Sequence, residues 1–123
     1  AFLLAALGCQ VTLFERHPAT AALLKEGMLN ATNLLELAPI IARMQLKEIC
    51  AIQYLQAHPE EHPDVIYCDP MFPVKTKSAK VKKEMQWLQT VVGTDSDSES
   101  LVALCLTRAK HRVVVKRPNS APW

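Results

Sequence analysis

Apolar residues occur in this chain as short continuous runs that alternate with longer segments of helical spacing. The short runs predict strands and the longer segments predict helices. In one segment Val81, Met85, Leu88 and Val92 recur at helical spacing, which predicts an amphipathic helix over 78–92. The predicted strands are 10–14, 44–49, 64–68 and 111–115, and the other predicted helices are 1–7, 19–28, 33–42, 51–57 and one that ends near residue 109.

Several residues that favour helix ends mark the boundaries of these helices. Gly8 lies where a C-terminal cap is expected, and Pro18 occupies a favourable first-turn position. Pro39 is expected to kink or split the helix over 33–42. Ser96 and Glu99 have the spacing of a capping box ahead of the last helix.

Strands that alternate with helices predict an α/β fold with a mostly parallel sheet and helices on both faces. In such sheets ligands bind at the carboxyl ends of the strands. Three of these ends carry notable residues, namely Glu15, the pair Ile49 and Cys50, and the segment 69–73. Glu15 could accept hydrogen bonds from a ribose, or it could be a solvated acid that begins a helix.

The length of 123 residues, half of them hydrophobic, suits one domain with a modest core. The opening AFLLAALGCQV lacks the basic region of a signal peptide, and no apolar run approaches membrane-spanning length. A soluble protein is therefore expected. Both ends of the sequence resemble cuts within a longer chain.

The four cysteines lie far apart among apolar neighbours and have no spacing that suits a zinc site. They are therefore predicted to be reduced thiols of the core, which favours a cytosolic protein. These cysteines are Cys9, Cys50, Cys68 and Cys105.

The net charge of +2 hides an asymmetry between the two parts of the chain. Residues 1–73 carry four Lys and Arg against eight Asp and Glu, whereas residues 74–123 carry ten against four. The second part suits a polyanionic partner, although a solvated lysine face would have the same composition.

Residues 69–73 read DPMFP and follow directly on a predicted strand. This segment resembles the (Asp/Asn/Ser)-Pro-Pro-(Tyr/Phe) motif of methyltransferases that modify exocyclic amino groups of bases. An aryl amine is a poor nucleophile, so a side-chain oxygen and a backbone carbonyl that accept its N–H groups can orient its lone pair towards a methyl. The prolines stiffen the turn and the aromatic ring stacks on an extruded base. A Pro-stabilised turn with a buried Phe is the alternative interpretation.

Over its whole length the chain resembles the bacterial ribosomal RNA small subunit (guanine-N2) methyltransferase J family. The resemblance is carried by LGCQVTLFERHP, by DPMFP followed by KTKSAKVKKEMQ, by VVG, and by VVVKRPNSAPW. It implies a Rossmann-like class I fold and transfer of a methyl group from S-adenosylmethionine to N2 of a guanine in 16S ribosomal RNA. The implied partner is that RNA or the small ribosomal subunit in the cytoplasm, with no metal and no membrane.

The resemblance also implies which residues bind the methyl donor. Glu15 would bind its ribose next to Arg16, Cys50 would lie at its adenine, and Asp69 would face both the donor and the target amine. Two departures from the family pattern concern the part of the site that would bind the methyl donor. The Gly-rich donor loop that follows the first strand is missing from the sequence, and Cys50 replaces the polar or acidic adenine contact of related folds. The fold is therefore expected to lack its first strand and also its closing strands.

For the target base, the resemblance implies that Asp69 orients the amine, Pro70 shapes the turn and Phe72 stacks on the guanine. Basic residues behind the motif and at the next strand end would contact RNA phosphates. These are Lys75, Lys77, Lys80, Lys82, Lys83, Lys116 and Arg117.

Three other functions are compatible with the same residues. The chain could be a non-catalytic RNA-binding fragment of such an enzyme, an amino-methyltransferase acting on DNA bases, or a nucleotide-binding α/β domain of another function. The lysine-rich segment and the KRP turn favour the ribosomal RNA family over the DNA enzymes.

Overall fold

The computed structural model describes residues 1–70 and 97–117. Within them, helices and short strands alternate along the chain as the apolar pattern predicts. The helices are α1 Phe2–Ala6, α2 Pro18–Thr32, α3 Ala38–Ile41, α4 Ala51–Ala57 and α5 Ser98–Arg108. The strands are β1 Val11–Phe14, β2 Met44–Lys47, β3 Val65–Cys68 and β4 Arg112–Val115.

The chain divides into two compact units, and the first spans Ala1–Tyr54. Its two strands, β1 and β2, pair in parallel with Val11 opposite Met44 and Phe14 opposite Lys47. The connection between them contains α2 and α3, as parallel neighbours require a crossover. Gly8, at a φ of 95°, ends α1 in the left-handed conformation that glycine adopts without strain.

The second unit spans Leu55–Trp123 and holds the parallel pair of β3 and β4. Leu55, Cys68 and Cys105 form its buried cluster, which joins the C-terminal part of α4, the end of β3 and the middle of α5. The partly buried residues packed against this cluster are Ile66, Leu101, Leu104, Val113 and Val115. One face of the β3–β4 pair is therefore fixed by α5.

Both strand pairs confirm the predicted α/β fold with parallel strands. In the doubly wound order 3-2-1-4-5-6, strands 2 and 3 are neighbours, and so are strands 4 and 5. Hydrogen-bonded ladders join β1 with β2 and β3 with β4. These two ladders match the neighbours of that order when β1 is counted as its second strand and β4 as its fifth.

The helices differ from the sequence prediction at three boundaries. α2 continues to Thr32, whose hydroxyl donates to the Met28 carbonyl. Residues 33–37 form turns, so the predicted helix over 33–42 is reduced to α3. Pro39 lies in the first turn of α3, where a missing N–H costs nothing, and it therefore opens a helix instead of kinking one.

The third difference concerns the start of α5. The N-cap is Asp97, whose side chain makes no capping hydrogen bond to the helix, whereas the sequence predicted Ser96. Glu99 still lies in the first turn, where a negative charge interacts favourably with the helix dipole. The helix predicted over 78–92 lies outside the described residues.

The prediction of core thiols holds for two of the four cysteines. Cys68 and Cys105 are buried with their sulfur atoms 3.7 Å apart, and the hydrogen bond between the thiols lowers the pKa of Cys68 and raises that of Cys105. Cys50 is half-buried. The prediction is wrong for Cys9, which is exposed because it lies in the turn between Gly8 and β1.

Across the two described ranges, none of the helices has the length and apolar character needed to cross a membrane.

Candidate active site

The end of β3 presents an acid between two buried residues. Cys68 and Pro70 are buried, whereas the side chain of Asp69 is 52% exposed. Successive side chains of a strand point to opposite faces, so burial of Cys68 in the core turns Asp69 towards the opposite face. The DP pair of the sequence motif therefore has an anchored backbone and an accessible carboxylate.

Lys116 lies directly beside Asp69. Its Nζ donates to Asp69 Oδ2 at 2.9 Å, and its backbone N–H donates to the Cys68 carbonyl at 2.9 Å. The contact follows from the strand register, in which Cys68 is opposite Val115, so Asp69 and Lys116 are the next facing pair. The hydrogen bond and the charge of the Asp69 carboxylate raise the pKa of Lys116, so the ammonium stays charged to a higher pH than that of a free lysine.

Arg117 follows Lys116 and is exposed. Two of the seven predicted RNA-contacting residues therefore lie at the carboxyl end of β4, the strand that pairs with the one Asp69 follows. The others, Lys75, Lys77, Lys80, Lys82 and Lys83, lie outside the described residues, as does Phe72.

The opposite end of the same strand pair carries a looser group of charges. Asp64 Oδ1 lies 3.8 Å from Lys110 Nζ and 3.8 Å from His111 Nε2, and all three side chains are exposed. This end corresponds to the amino ends of the strands, where α/β sheets do not place their ligands.

In the first unit, the predicted ribose acid follows β1. Glu15 donates its backbone N–H to the Lys47 carbonyl at 3.1 Å, which extends the β1–β2 ladder by one residue. Its Oε1 accepts the backbone N–H of His17 at 2.7 Å, so the half-buried carboxylate is held next to the start of α2. Arg16 is exposed in the same turn.

Cys50, the predicted adenine neighbour, precedes α4, and its carbonyl accepts the Tyr54 N–H at 3.0 Å. Tyr54 is buried and packs on Phe14 with ring centroids 4.8 Å apart, while Lys47 Nζ lies 4.6 Å from the Tyr54 ring centroid. The start of α4 is thereby fixed to the ends of β1 and β2.

Lys47 and Tyr54 were not predicted as parts of a site. The only sequence signal for them is indirect, since Lys47 closes an apolar run and Tyr54 lies one helical turn after Cys50. In the described ranges, no group of three or more His, Cys, Asp or Glu side chains is arranged to hold a metal ion.

Comparison with known proteins identifies the family of this chain. The model of a family described as SAM-dependent methyltransferase, where SAM denotes S-adenosylmethionine, matches residues 1–123. The chain belongs to this family.

Curated relatives carry a more specific name. A protein of Ectopseudomonas mendocina (strain ymp) named ribosomal RNA small subunit methyltransferase J is 54% identical over 99% of this chain and 47% of its own length. A protein of the same name from Aeromonas salmonicida (strain A449) is 52% identical over 100% of this chain and 49% of its own length. The chain thus spans about half the length of these relatives.

A solved structure confirms the fold. The crystal structure of a SAM-dependent methyltransferase from Neisseria gonorrhoeae superposes with a TM-score of 0.73 at 36% sequence identity. The match covers 97% of this chain and 46% of that one. The Rossmann-like class I fold predicted from the sequence is confirmed.

Proposed function

We propose that the full-length protein carrying this chain transfers a methyl group from S-adenosylmethionine to the exocyclic N2 of a guanine in 16S ribosomal RNA. The observation that carries the proposal is the half-exposed Asp69 of the DPMFP motif, held at a strand end in a chain of the SAM-dependent methyltransferase family. The names of the curated relatives support 16S ribosomal RNA or the small ribosomal subunit as the partner, and hence the cytoplasm as the location.

Methyl transfer to this nitrogen is a displacement in which a nitrogen–carbon bond forms as the carbon–sulfur bond breaks. Bound S-adenosylmethionine supplies an electrophilic methyl group on a sulfonium, so no strong base is needed. Asp69 would accept one N–H of the guanine amine and turn its lone pair towards the methyl carbon. After transfer the extra proton leaves the nitrogen to water, and positioning supplies most of the rate.

The geometry at the end of β3 suits this task. Asp69 Oδ2 accepts the Lys116 ammonium, which leaves Oδ1 to accept an amine N–H. Pro70 is buried next to Asp69, and the Pro70 carbonyl is proposed as the second acceptor. Phe72 is proposed to stack on the guanine once the base has left its helix.

The residues at the ends of β1 and β2 fit the ribose and adenine of the donor. Glu15 Oε1 is already held by the His17 backbone N–H, which orients the carboxylate and leaves Oε2 to accept from a ribose hydroxyl. Arg16 and Cys50 are proposed to line the same site, with the half-buried Cys50 beside the adenine. Asp69 is proposed to face the methyl group of the donor.

RNA binding is proposed for the basic residues that follow the motif and β4. Residues 74–123 carry ten Lys and Arg against four Asp and Glu, and contacts between these cations and phosphates would bring the RNA to the strand ends. The proposed contacts are Lys75, Lys77, Lys80, Lys82, Lys83 and Arg117.

The test measures transfer of labelled methyl from S-adenosylmethionine to 16S ribosomal RNA under single-turnover conditions in the full-length protein. Asp69→Ala should reduce the rate about a hundredfold or more, since the amine loses its orienting acceptor. Asp64→Ala is the matched control, because it removes an exposed acid from the other end of the same strand and should leave the rate unchanged. A near wild-type rate for Asp69→Ala would show that the assignment is wrong.

Two further arms separate the remaining functions. A DNA substrate methylated as fast as ribosomal RNA would favour a DNA amino-methyltransferase. Residues 1–123 span about half of the curated relatives, so this segment alone could be an RNA-binding part without activity. Calorimetry of residues 1–123 with S-adenosylmethionine distinguishes a methyltransferase segment from a purely RNA-binding one, because clear stoichiometric binding of the donor contradicts the latter.

A further inference from the structure

We infer that Lys116 is a positioning residue that holds the Asp69 carboxylate in the orientation needed to accept the target amine. This inference rests on the proposed function of Asp69. It changes the part predicted for Lys116 from the sequence, which is contact with an RNA phosphate.

The first argument is the register of the strand pair. Facing residues of neighbouring parallel strands point to the same face of a sheet, and Asp69 and Lys116 are the first facing pair beyond the ladder. Lys116 is bound to the end of β3 at two points, through its N–H to the Cys68 carbonyl and through Nζ to Asp69 Oδ2. The position of the ammonium is therefore set by the same backbone that positions Asp69.

The second argument is the chemistry of the carboxylate. An isolated Asp side chain can rotate, and either oxygen can then face a substrate. A 2.9 Å charge-assisted hydrogen bond at Oδ2 restricts this rotation and leaves Oδ1 as the acceptor. The ammonium donates hydrogen bonds and accepts none, so it cannot compete with Asp69 for the N–H groups of the amine.

The alternative is an ordinary surface ion pair, which contributes little to stability or function. The chain contains such a pair for comparison. Lys110 and Asp64 lie at the other end of the same two strands, both exposed, with 3.8 Å between Nζ and Oδ1. Lys110 also has the same kind of backbone bond, from its N–H to the Pro63 carbonyl.

The experiment compares Lys116→Met, Lys116→Arg and Lys110→Met in the full-length protein with the wild type. Single-turnover rates are measured at saturating S-adenosylmethionine and saturating 16S ribosomal RNA, and RNA affinity is measured separately as a function of salt. Lys116→Met should reduce the saturated rate about tenfold to a hundredfold, as a misplaced catalytic group does. Lys116→Arg should recover a large part of the loss, because a guanidinium can also donate to the carboxylate. Lys110→Met should change the rate less than about twofold.

The outcomes separate positioning from RNA contact. If Lys116→Met keeps the wild-type saturated rate and only weakens RNA binding with a smaller salt dependence, Lys116 is a phosphate contact and the inference is wrong. Equal loss of rate in Lys116→Met and Lys110→Met would also overturn it, since the effect would then be a general one on the strand pair. An inactive wild-type protein would instead refute the proposed function itself.

Discussion

Truncation of Leu55 tests whether the small core of the second unit holds the site in place. Leu55 is 5% exposed and contacts the buried Cys68 and Cys105, and Cys68 directly precedes Asp69. Leu55→Ala removes three carbon atoms from this cluster. The change should therefore destabilise the end of β3 as well as α4.

The size of the effect follows from the makeup of the cluster. A buried Leu→Ala change costs about 2–5 kcal/mol, and the cost is smaller where neighbours can move into the cavity. Three buried residues are surrounded here by five that are only partly buried, so we expect the lower part of this range, about 2–3 kcal/mol. Leu106→Ala is the matched control, since Leu106 lies on α5 with 66% exposure and should cost less than about 0.5 kcal/mol.

Hydrogen exchange measured by mass spectrometry on the full-length protein reports this effect locally. The Lys116 amide is bonded to the Cys68 carbonyl, so the peptide containing β4 reports opening of the β3–β4 pair. A loss of 2–3 kcal/mol corresponds to exchange that is roughly 30- to 150-fold faster. If Leu55→Ala accelerates exchange no more than Leu106→Ala does, the buried cluster does not hold the strand end and the reasoning fails.

Three other predictions concern glycines, the donor and pH. Gly8→Ala should lower the free energy of unfolding by about 1 kcal/mol because Gly8 has a positive φ. Gly27→Ala should raise it by up to about 1 kcal/mol, because Gly27 lies within α2 with open space around a new Cβ. Both values are measured by urea titration, and changes of the same sign would contradict the assigned backbone conformations. Glu15→Gln should weaken S-adenosylmethionine binding about tenfold by calorimetry while RNA affinity stays the same, and unchanged donor binding would remove Glu15 from the site. Asp69 raises the pKa of Lys116, so the pair's contribution is present below the unfolded lysine pKa and is lost only as pH rises through the higher folded value. The ratio of wild-type to Lys116→Met rates should accordingly stay constant from about pH 7 to 9.5, and a ratio that collapses by pH 9 would contradict the pairing.

The strands could be predicted well from the sequence because each has apolar residues at two or more of its four positions and polar or turn residues nearby. Helix ends were harder. Thr32 ends α2 four residues beyond the predicted Met28, since Leu29 and Ala31 favour helix and no Gly or Pro follows Met28 to stop it. Several Ser and Asp residues of the acidic sequence that precedes α5 are equally good N-caps, so composition alone could not select Asp97.

The candidate site was predicted one residue at a time, and its internal contacts were not. Asp69 and Lys116 were each expected at a strand end, with Asp69 at the amine and Lys116 at the RNA. Their contact depends on β3 and β4 being neighbours in register, which is a property of strand order and is absent from local periodicity. The packing of Phe14 on Tyr54 escaped prediction for the same reason, since it joins a strand to a helix 40 residues away.

The parallel pairing of β3 and β4 has a consequence for biosynthesis. Asp69 and its partner Lys116 are 47 residues apart, so a growing polypeptide contains the acid well before it contains the lysine. At about 5–20 residues per second, translation of that interval takes roughly 2–10 s. During this time β3 has no β4 to pair with and presents an open strand edge, the type of surface on which nascent chains aggregate or engage chaperones.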